Sequence, residues 1–182
     1  MEKTININGS LISLSTPLVM GILNVTPNSF YSDSRKQSEF DIISRCREIN
    51  NEGGSIIDVG AQSTSFSSSF LTAKEEANRL MPALKLIRKE FPDVILSIDT
   101  FYADVAKQAV EEYGANIIND ISGGEIDDRM FSVVAELNVP YILMHMRGVP
   151  QTMQQMTDYE DLIQDIIYYF SEKKAKLNLL GV

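Results

Sequence analysis

Short apolar runs alternate with amphipathic segments along this chain. The apolar runs predict strands, and the segments between them carry the three-to-four-residue apolar spacing of helices. The predicted strands are Leu18–Val25, Ser55–Val59, Val94–Ile98, Asn116–Ile121 and Tyr141–Met146. The predicted helices are Ser38–Asn51, a segment that begins at Thr72, Asp104–Tyr113, Asp127–Leu137 and a long helix capped by Asp158. Repeated strand–helix units of this kind predict a parallel sheet with its helices outside.

Residues at the helix ends support this assignment. Thr72 followed by Glu75 has the spacing of a capping box. Gly114 and Gly181 stand where the third and the last helix are predicted to stop. Pro82 lies inside the second helix and predicts a kink there. The last helix has one apolar side, made of Leu162, Ile163, Ile166, Ile167 and Phe170.

A polar residue stands at or just past the C-terminal end of each predicted strand. These residues are Asn24, Gln62, Asp99, Asn119 and His145. That edge carries the active site both in barrels and in open doubly wound sheets, and periodicity does not distinguish the two. Polar groups at one rim of five strands fit a barrel mouth better. The first strand is not followed by Gly-x-Gly-x-x-Gly, which argues against a dinucleotide-binding sheet.

Composition narrows the class of protein. The 182 residues predict one domain, and 44% hydrophobic with 23% charged residues is typical of a soluble globular protein. The chain has neither an apolar run of about 20 residues nor a signal-peptide core, so we expect a cytoplasmic protein without a membrane partner. The net charge of −9 argues against binding to nucleic acid. Cys46, the single cysteine, excludes an internal disulfide and a cysteine-based zinc site.

Two strand-end residues suit the recognition of a flat heterocycle. A carboxylate such as Asp99 accepts hydrogen bonds from an amino-pyrimidine edge, and the amide of Asn119 both donates and accepts. The alternative is that Asp99 caps the following helix and Asn119 ties a turn. Asn24 offers an amide oxygen that suits Mg²⁺ shared with substrate phosphates, or else it forms a turn ahead of Thr26-Pro27.

Other candidates favour structural roles. His145 is the only histidine, and a strand histidine between two methionines is more often a packed residue than a catalyst. No histidine cluster suggests a metal triad. Gly123-Gly124 could cradle a phosphate, but we interpret the pair as a turn. Cys46 lies on an apolar helical stripe and is interpreted as a buried small hydrophobe.

Five segments of the chain closely resemble the motifs of dihydropteroate synthases, and they occur in that family's order. Each is weak alone, but together they cover essentially the whole chain. The segments are Gly21–Phe30, Asp58–Thr64, Ser97–Thr100, Ile117–Gly123 and Leu143–Gly148. The resemblance implies an α/β fold of the (β/α)₈ TIM-barrel type, of which this chain supplies about the first five strand–helix units.

The resemblance also implies a reaction of folate synthesis. A transferase of this family condenses 6-hydroxymethyl-7,8-dihydropterin diphosphate with 4-aminobenzoate and releases 7,8-dihydropteroate and diphosphate, assisted by Mg²⁺. Asn24 would bind the metal and the diphosphate, and Thr64 would contact substrate. Asp99 and Asn119 would hold the pterin, with Met144 packed near its ring. Asn24, Thr64 and Asp99 are therefore the implied catalytic residues.

Two loops would close over that site, Thr26–Ser34 and Ser63–Ser69. The second departs from the family pattern, because Ser65-Phe66 replaces the usual Arg-Pro after Thr64. We hypothesise an altered handling of 4-aminobenzoate and of its sulfonamide mimics. Asn28, where aspartate is common, is a milder change.

Length suggests a further departure, because TIM barrels usually need about 200 residues or more. We expect residues 1–182 to form one pterin-binding domain that is C-terminally incomplete. The resemblance implies an aspartate, a lysine, an arginine and a histidine on later strands, and Arg35 and Arg147 replace them poorly. We therefore expect little synthase activity from this chain alone. The resemblance allows a homodimer for the complete enzyme.

Two alternatives to the synthase remain open. One is a methyltetrahydrofolate-type methyltransferase barrel, which shares the asparagine and aspartate contacts to the pterin. The motif around Asn24 favours the synthase over it. The other is a module without catalytic activity that binds a pterin or a protein partner.

Overall fold

A computed structural model describes residues 3–25, 35–62 and 70–182, and its first element is a β-hairpin. β1 (Thr4–Ile7) pairs antiparallel with β2 (Ser10–Ser13). Asn8 and Gly9 join them with φ values of 51° and 84°. A two-residue hairpin turn with positive φ at both positions prefers Asn-Gly. The sequence analysis missed this hairpin, although Asn8-Gly9 is a strong local signal for one.

A five-stranded parallel sheet follows within the described residues. Its strands are β3 (Met20–Asn24), β4 (Ile56–Gly60), β5 (Ile95–Asp99), β6 (Ile117–Asp120) and β7 (Tyr141–Leu143). They lie side by side in chain order. A doubly wound sheet reverses its strand order at a switch point, whereas a barrel adds each new strand on the same side. The order therefore confirms the predicted fold class, an α/β protein built from consecutive units of a barrel.

The helices of the described residues cover one face of this sheet. They are α1 (Arg35–Asn51), α2 (Ala73–Glu90), α3 (Ala103–Tyr113), α4 (Met130–Leu137) and α5 (Leu162–Leu179), with a 3₁₀ turn at Met153–Gln155. The predicted capping box begins α2, since Thr72 and Glu75 each accept the other's backbone N–H. Gly114 ends α3 in the left-handed conformation, with φ 63°. None of these helices is both long enough and apolar enough to cross a membrane.

The fourth helix begins later than the sequence suggested. Asp127 was predicted to start it, but α4 begins at Met130. The carboxylate of Asp127 accepts the N–H of Ala103 at 3.0 Å and that of Arg129 at 3.1 Å. Asp127 therefore caps the neighbouring helix α3 and closes a turn ahead of α4.

The predicted cap of the last helix was also wrong. Asp161, not Asp158, is the N-cap of α5, and its side chain accepts the N–H of Gln164 at 2.9 Å. Asp158 lies one turn earlier, where its carbonyl oxygen accepts a hydrogen bond from Arg147 at 2.6 Å. An N-cap side chain must reach the N–H two or three positions on, and only Asp161 does so.

The predicted fifth strand is shorter than expected, because β7 ends at Leu143 rather than at Met146. Its partner β6 ends at Asp120, which pairs with Leu143. Past that point the ladder has no further residue of β6 to continue on.

Two apolar clusters hold the sheet. The larger lies between the sheet and its helices and includes Val59, Leu84, Ile87, Leu96 and Ile98. The smaller lies on the other face, which we call the inner face. There Ile56 and Ile117 pack against Ile7 of the hairpin. The hairpin thus covers the N-terminal end of the inner face and leaves the C-terminal end for polar side chains.

Part of the apolar surface is exposed. On the inner face the side chain of Ile22 is 59% exposed, and that of Ile142 is 37% exposed. The apolar side predicted for the last helix is largely exposed at Leu162, Ile163 and Ile167. The residues of α5 that are buried are Lys173 and Leu177.

Candidate active site

Strand register brings three predicted site residues into one row. Asn24 of β3 pairs with Gly60 of β4, Gly60 pairs with Asp99 of β5, and Asp99 pairs with Asn119 of β6. Adjacent strands lie about 4.8 Å apart, and paired residues point to the same face. We call these four residues the polar row. It lies at the C-terminal end of the inner face, where barrels carry their active sites.

Gly60 makes room for the carboxylate beside it. A Cβ atom at this position would lie 3.2 Å from both Cβ and Oδ2 of Asp99. That separation is tighter than ordinary van der Waals contact. The glycine therefore lets the Asp99 side chain stand within the row and leaves a gap between Asp99 and Asn24.

A second carboxylate, that of Asp58, contacts the polar row from the neighbouring row of inner-face residues. Asn119 Nδ2 donates to Asp58 Oδ2 at 3.0 Å. Asp58 is buried, and its Oδ1 has no hydrogen-bond partner among the described residues. The Oγ of Ser97, which pairs with Asp58 in the sheet, is also buried without a partner there. A buried polar atom without a partner costs free energy, so these atoms mark a place where a ligand or a water can bind.

Asp58 was not predicted as a site residue. Its signal was available, because a lone carboxylate interrupts the apolar run Ile56–Val59. Such a residue is rarely fully buried unless it is paired. Sequence alone could not show that its partner is Asn119.

The carboxyl of Asp99 has a raised pKa, so its charge changes near neutral pH. Burial raises the pKa of its carboxyl to about 7, and the nearby carboxylates of Asp58 and Asp120 add to the shift. Desolvation and like charges both disfavour the ionised form. A ligand that donates hydrogen bonds to Asp99 would favour that form again.

The structural alternatives for these two residues are wrong. Asp99 does not cap α3, since Tyr102 is the N-cap residue and Asp127 supplies the side-chain oxygen. The side chain of Asn119 contacts Asp58 across the inner face and does not tie a turn. Both side chains therefore lie where a ligand on the inner face could reach them.

Asn24 ends the polar row on an exposed position. It borders a shallow cleft between β3 and α1 that is also lined by Asp41 and Arg45. Among the residues the structure describes, no three histidine, cysteine or acidic side chains converge as a metal site. Mg²⁺ is commonly held by one or two protein oxygens together with substrate phosphates. A single amide oxygen at an open strand end fits that kind of site.

The predicted Thr64 lies outside the described residues, and so do both predicted loops, 26–34 and 63–69. The substitution at Ser65-Phe66 and the change at Asn28 fall in the same segments. Their roles stay predictions.

Met144 and His145 follow β7 beside the row. The carbonyl of Met144 accepts a hydrogen bond from the Tyr169 hydroxyl at 3.3 Å. The His145 ring lies 4.8 Å from that of Tyr169, edge to face, and near Phe170. His145 therefore packs the end of β7 against α5, in agreement with the structural role predicted for it.

Other polar groups at this rim have structural partners. The side chain of Arg147 stacks 4.4 Å above the Tyr159 ring and also donates to the Asp158 carbonyl. Gly123 and Gly124 have φ values of 61° and 77° and turn the chain after β6. The N–H of Gly124 donates to the side chain of Asp120 at 2.9 Å, as the turn interpretation requires.

Gln62 also turns away from the row. Its side chain donates to the Leu71 carbonyl and accepts the Leu71 N–H, both at 3.1 Å. It donates in addition to Glu76, a buried carboxylate that the sequence analysis did not single out. Glu76 directly follows Glu75 of the capping box. It gave no separate signal in the sequence, because acidic residues are ordinary in the first turn of a helix.

Known proteins of folate synthesis are similar to this chain in sequence. The chain is 47% identical over 180 residues to the mitochondrial folate synthesis bifunctional protein of Pisum sativum, an alignment that covers 96% of this chain and 35% of that protein. It is 36% identical over 174 residues to the dihydropteroate synthase of Escherichia coli K12, covering 96% of this chain and 61% of that enzyme. The chain thus spans about a third of the plant protein's length and less than two thirds of the bacterial enzyme's.

Solved structures show the same likeness. The Yersinia pestis dihydropteroate synthase, solved with a sulfonamide drug complex, superposes with a TM-score of 0.86 at 32% identity and covers 99% of this chain and 64% of that one. The Xanthomonas albilineans dihydropteroate synthase, solved with 4-aminobenzoic acid, gives a TM-score of 0.83 at 27% identity and covers 63% of that chain. The resemblance seen in the motifs is confirmed. Since the family described as pterin binding enzyme matches residues 20–182, the chain belongs to the pterin binding enzyme family.

Proposed function

We propose that the polar row binds the pyrimidine edge of a dihydropterin for dihydropteroate synthesis. The observation that carries this proposal is the placement of Asp99 and Asn119 as paired residues of adjacent strands, with Asp58 beneath them. A carboxylate that accepts and an amide that both donates and accepts match the mixed edge of an aminopyrimidine. The chain's likeness to several dihydropteroate synthases supports the choice of ligand.

The side chains divide the recognition between them. Asp99, when ionised, accepts hydrogen bonds from the ring N–H and amino groups. Asn119 is held by Asp58, so its remaining amide hydrogen and its oxygen face the ligand. Met144 supplies an apolar contact beside the ring. Few precisely placed polar groups in an apolar setting are typical of small-molecule sites.

The proposed reaction replaces a carbon–oxygen bond with a carbon–nitrogen bond. The carbon–oxygen bond between the pterin methylene and the diphosphate breaks, and its electron pair leaves with the diphosphate. The amine of 4-aminobenzoate attacks the methylene carbon, forms the new carbon–nitrogen bond and releases one proton to water. Asn24 would hold Mg²⁺, which neutralises charge on the departing diphosphate. Thr64 would contact substrate from the segment that follows Gln62.

Calorimetric titration of the chain with 6-hydroxymethyl-7,8-dihydropterin tests the binding step. We expect saturable binding that is lost in Asp99→Ala and kept in Asp93→Ala. Asp93 is a matched control because it is exposed and precedes the opposite end of β5. Equal binding by both variants would contradict the assignment of the site.

A second measurement addresses the reaction. Diphosphate release is followed with the dihydropterin diphosphate, 4-aminobenzoate and Mg²⁺. Release that needs both substrates and disappears in Asp99→Ala supports the synthase. Because little release is expected from this chain alone, the same assay is run on a version extended through the later strands. Pterin binding without release there supports the module without catalytic activity, and corrinoid-dependent methyl transfer would support the methyltransferase.

A further inference from the structure

Glu76 is a buried carboxylate with an unusual set of partners. Its side chain has no exposed surface, although it stands in the first turns of α2. One oxygen accepts a hydrogen bond from the Thr100 hydroxyl, and the other accepts one from the Gln62 amide. Gln62 and Glu76 belong to the β4–α2 unit, and Thr100 belongs to the next unit, β5–α3. No cation of the described residues shifts the pKa of Glu76, so this buried carboxylate is held there by hydrogen bonds.

These contacts form part of a closed ring. Gln62 makes two hydrogen bonds to the backbone of Leu71, and the Tyr102 hydroxyl donates to the Leu71 carbonyl at 2.8 Å. The N–H of Tyr102 donates to the Thr100 hydroxyl oxygen at 3.2 Å. The ring therefore passes from Glu76 through Gln62, Leu71, Tyr102 and Thr100 and returns to Glu76.

The ring adjoins the polar row at Thr100, and it includes Gln62 and Leu71, the residues on either side of positions 63–69. Thr100 directly follows Asp99, and its N–H donates to the Asn119 carbonyl at 3.1 Å. Gln62 and Leu71 stand on either side of residues 63–69, so their two hydrogen bonds join the chain before that segment to the chain after it. Glu76 connects these two places, because it accepts hydrogen bonds from both Thr100 and Gln62.

We propose that Glu76 is a positioning residue that holds Gln62 and Leu71 in place relative to Asp99 and Asn119. Its role in the reaction rests on the proposed function, because Thr64 and Asp99 are assigned to substrate there. The positioning itself depends on the hydrogen bonds alone. Glu76 contacts no residue of the polar row directly and acts through Thr100 and Gln62.

The two partners of Glu76 differ in how they can respond to a proton on its carboxyl. Both hydrogens of the Gln62 amide are used, so this amide nitrogen can only donate to Glu76. The Thr100 hydroxyl accepts from the Tyr102 N–H and keeps a second lone pair, so it can accept a hydrogen bond from Glu76 as well as donate one. A proton on the oxygen that faces Thr100 therefore reverses that hydrogen bond and leaves the ring closed. Burial raises the pKa of Glu76 to about 7.

The charged and titratable groups around Glu76 are few. Asp99 of β5 raises its pKa further, and the hydrogen bonds from Thr100 and Gln62 oppose the shift. Tyr102 lies at the start of α3. Burial raises the pKa of its hydroxyl, and the carboxylates of Glu76, Glu75 and Asp127 add to the shift. Within the described residues no other charged group shifts the pKa of Glu76. The ring can stay closed in either protonation state, so the positioning role does not depend on this pKa.

Amide hydrogen exchange tests the positioning role without any ligand. The N–H groups of Leu71 and Tyr102 donate to side chains of the ring, not to a helix or a sheet ladder. We expect Glu76→Leu to raise exchange at these two amides about tenfold, since it removes both acceptor oxygens and leaves the Gln62 and Thr100 donors without their partner. Amides of the β4 and β5 ladders should keep their protection.

Glu76→Gln is the matched control. Its amide can donate to the Thr100 hydroxyl oxygen while its oxygen accepts from Gln62, so both hydrogen bonds are kept and exchange should stay near that of the unaltered chain. Equal exchange in Glu76→Leu and Glu76→Gln, or unchanged exchange in Glu76→Leu, would overturn the proposal. If Glu76→Leu fails to fold, Thr100→Val decides: it removes the donor to one oxygen of Glu76, and exchange at Leu71, which is joined to Thr100 only through the ring, should rise. Unchanged exchange at Leu71 in Thr100→Val would equally overturn the proposal.

Dihydropterin titration of the same variants separates this proposal from the proposed function. If the unaltered chain binds no dihydropterin, the proposed function fails, and the exchange data still judge Glu76. If it binds, Glu76→Leu should weaken binding several-fold, while Glu76→Gln leaves the affinity near that of the unaltered chain.

Discussion

Asn119 Nδ2 donates to Asp58 Oδ2 at 3.0 Å across the inner face, from β6 to β4, with β5 between them. The two residues are 61 positions apart in the chain. The contact fixes the amide of Asn119, so that its oxygen and its second N–H are directed by a buried carboxylate. Because the amide is already ordered before a ligand binds, less conformational entropy is lost on binding.

Removing the carboxylate beneath Asn119 should weaken pterin binding. Asp58→Leu takes away the acceptor and leaves the amide free to rotate, and we expect a loss of about 1–3 kcal/mol in binding free energy, as for a hydrogen-bond partner removed from a buried group. Asp58→Asn keeps an acceptor oxygen and should lose less. Calorimetric titration with a dihydropterin measures both. Unchanged affinity in Asp58→Leu would show that the orientation of Asn119 does not depend on Asp58.

Pterin affinity should fall on the acid side of neutrality. The pKa of Asp99 is raised to about 7, and only the ionised carboxylate accepts fully from the pterin N–H groups. Below that pH, affinity should decline by up to about tenfold per pH unit. Titrations between pH 5.5 and 8.5 measure the decline. Asp99→Asn should bind weakly at every pH, and a pH profile like that of the unaltered chain would assign the titration to another group.

The same carboxyl should make the fold less stable at higher pH. Because the pKa of Asp99 is higher in the folded chain than its ordinary value of 3.8, the folded state keeps a proton that the unfolded state releases. The free energy of unfolding therefore falls as pH rises from about 4 to 7, by up to about 1.4 kcal/mol per pH unit for one group. Urea unfolding at several pH values measures this slope. Asp99→Asn should have a shallower slope, and an unchanged slope would contradict the shift.

Two glycines of the sheet should respond differently to alanine. Gly60→Ala would place a Cβ atom 3.2 Å from Asp99, so we expect weaker pterin binding with a small loss of stability. Gly21→Ala would place its Cβ 2.5 Å from the Ile49 side chain, under α1. Overpacking there should cost about 1–3 kcal/mol of stability. Urea unfolding and pterin titration of each variant give the comparison. A similar loss of stability in both would contradict it.

Lys173 should stabilise the contact of α5 with α4. It is buried, pairs with Glu125, and lies 5.6 Å and 5.4 Å from the ring centres of Phe131 and Tyr169. Lys173→Met keeps the apolar stem and removes the charge, and we expect it to lose about 1–2 kcal/mol of the free energy of unfolding.

Lys174→Met is the control for this change, since Lys174 is the next residue in α5 and is exposed. It should lose no more than about 0.5 kcal/mol. Thermal or urea unfolding measures both variants. Equal effects would show that the ion pair and the ring contacts of Lys173 contribute little.

Local patterns in the sequence determined the five strands of the parallel sheet and the helices between them, but not the hairpin of β1 and β2. Alternation and helical spacing placed five strands and the helices between them, because side chains repeat every two residues in strands and every 3.6 in helices. Two predictions of helix starts were wrong. Asp127 binds the start of α3 instead of beginning α4, which depends on a contact between separate segments. Asp161 takes the cap assigned to Asp158, because only Asp161 is close enough to the N–H of Gln164.

Only the tertiary structure decided how the polar residues combine. Periodicity describes one segment at a time, whereas the polar row depends on the register between strands that lie tens of residues apart. The strand order that separates a barrel from a doubly wound sheet is likewise a property of the crossovers. The pairing of Asp58 with Asn119 and the burial of Glu76 arise where separate segments meet. The sequence alone identified Asn24, Asp99 and Asn119 as candidates, and the packing of the strands placed them in one row.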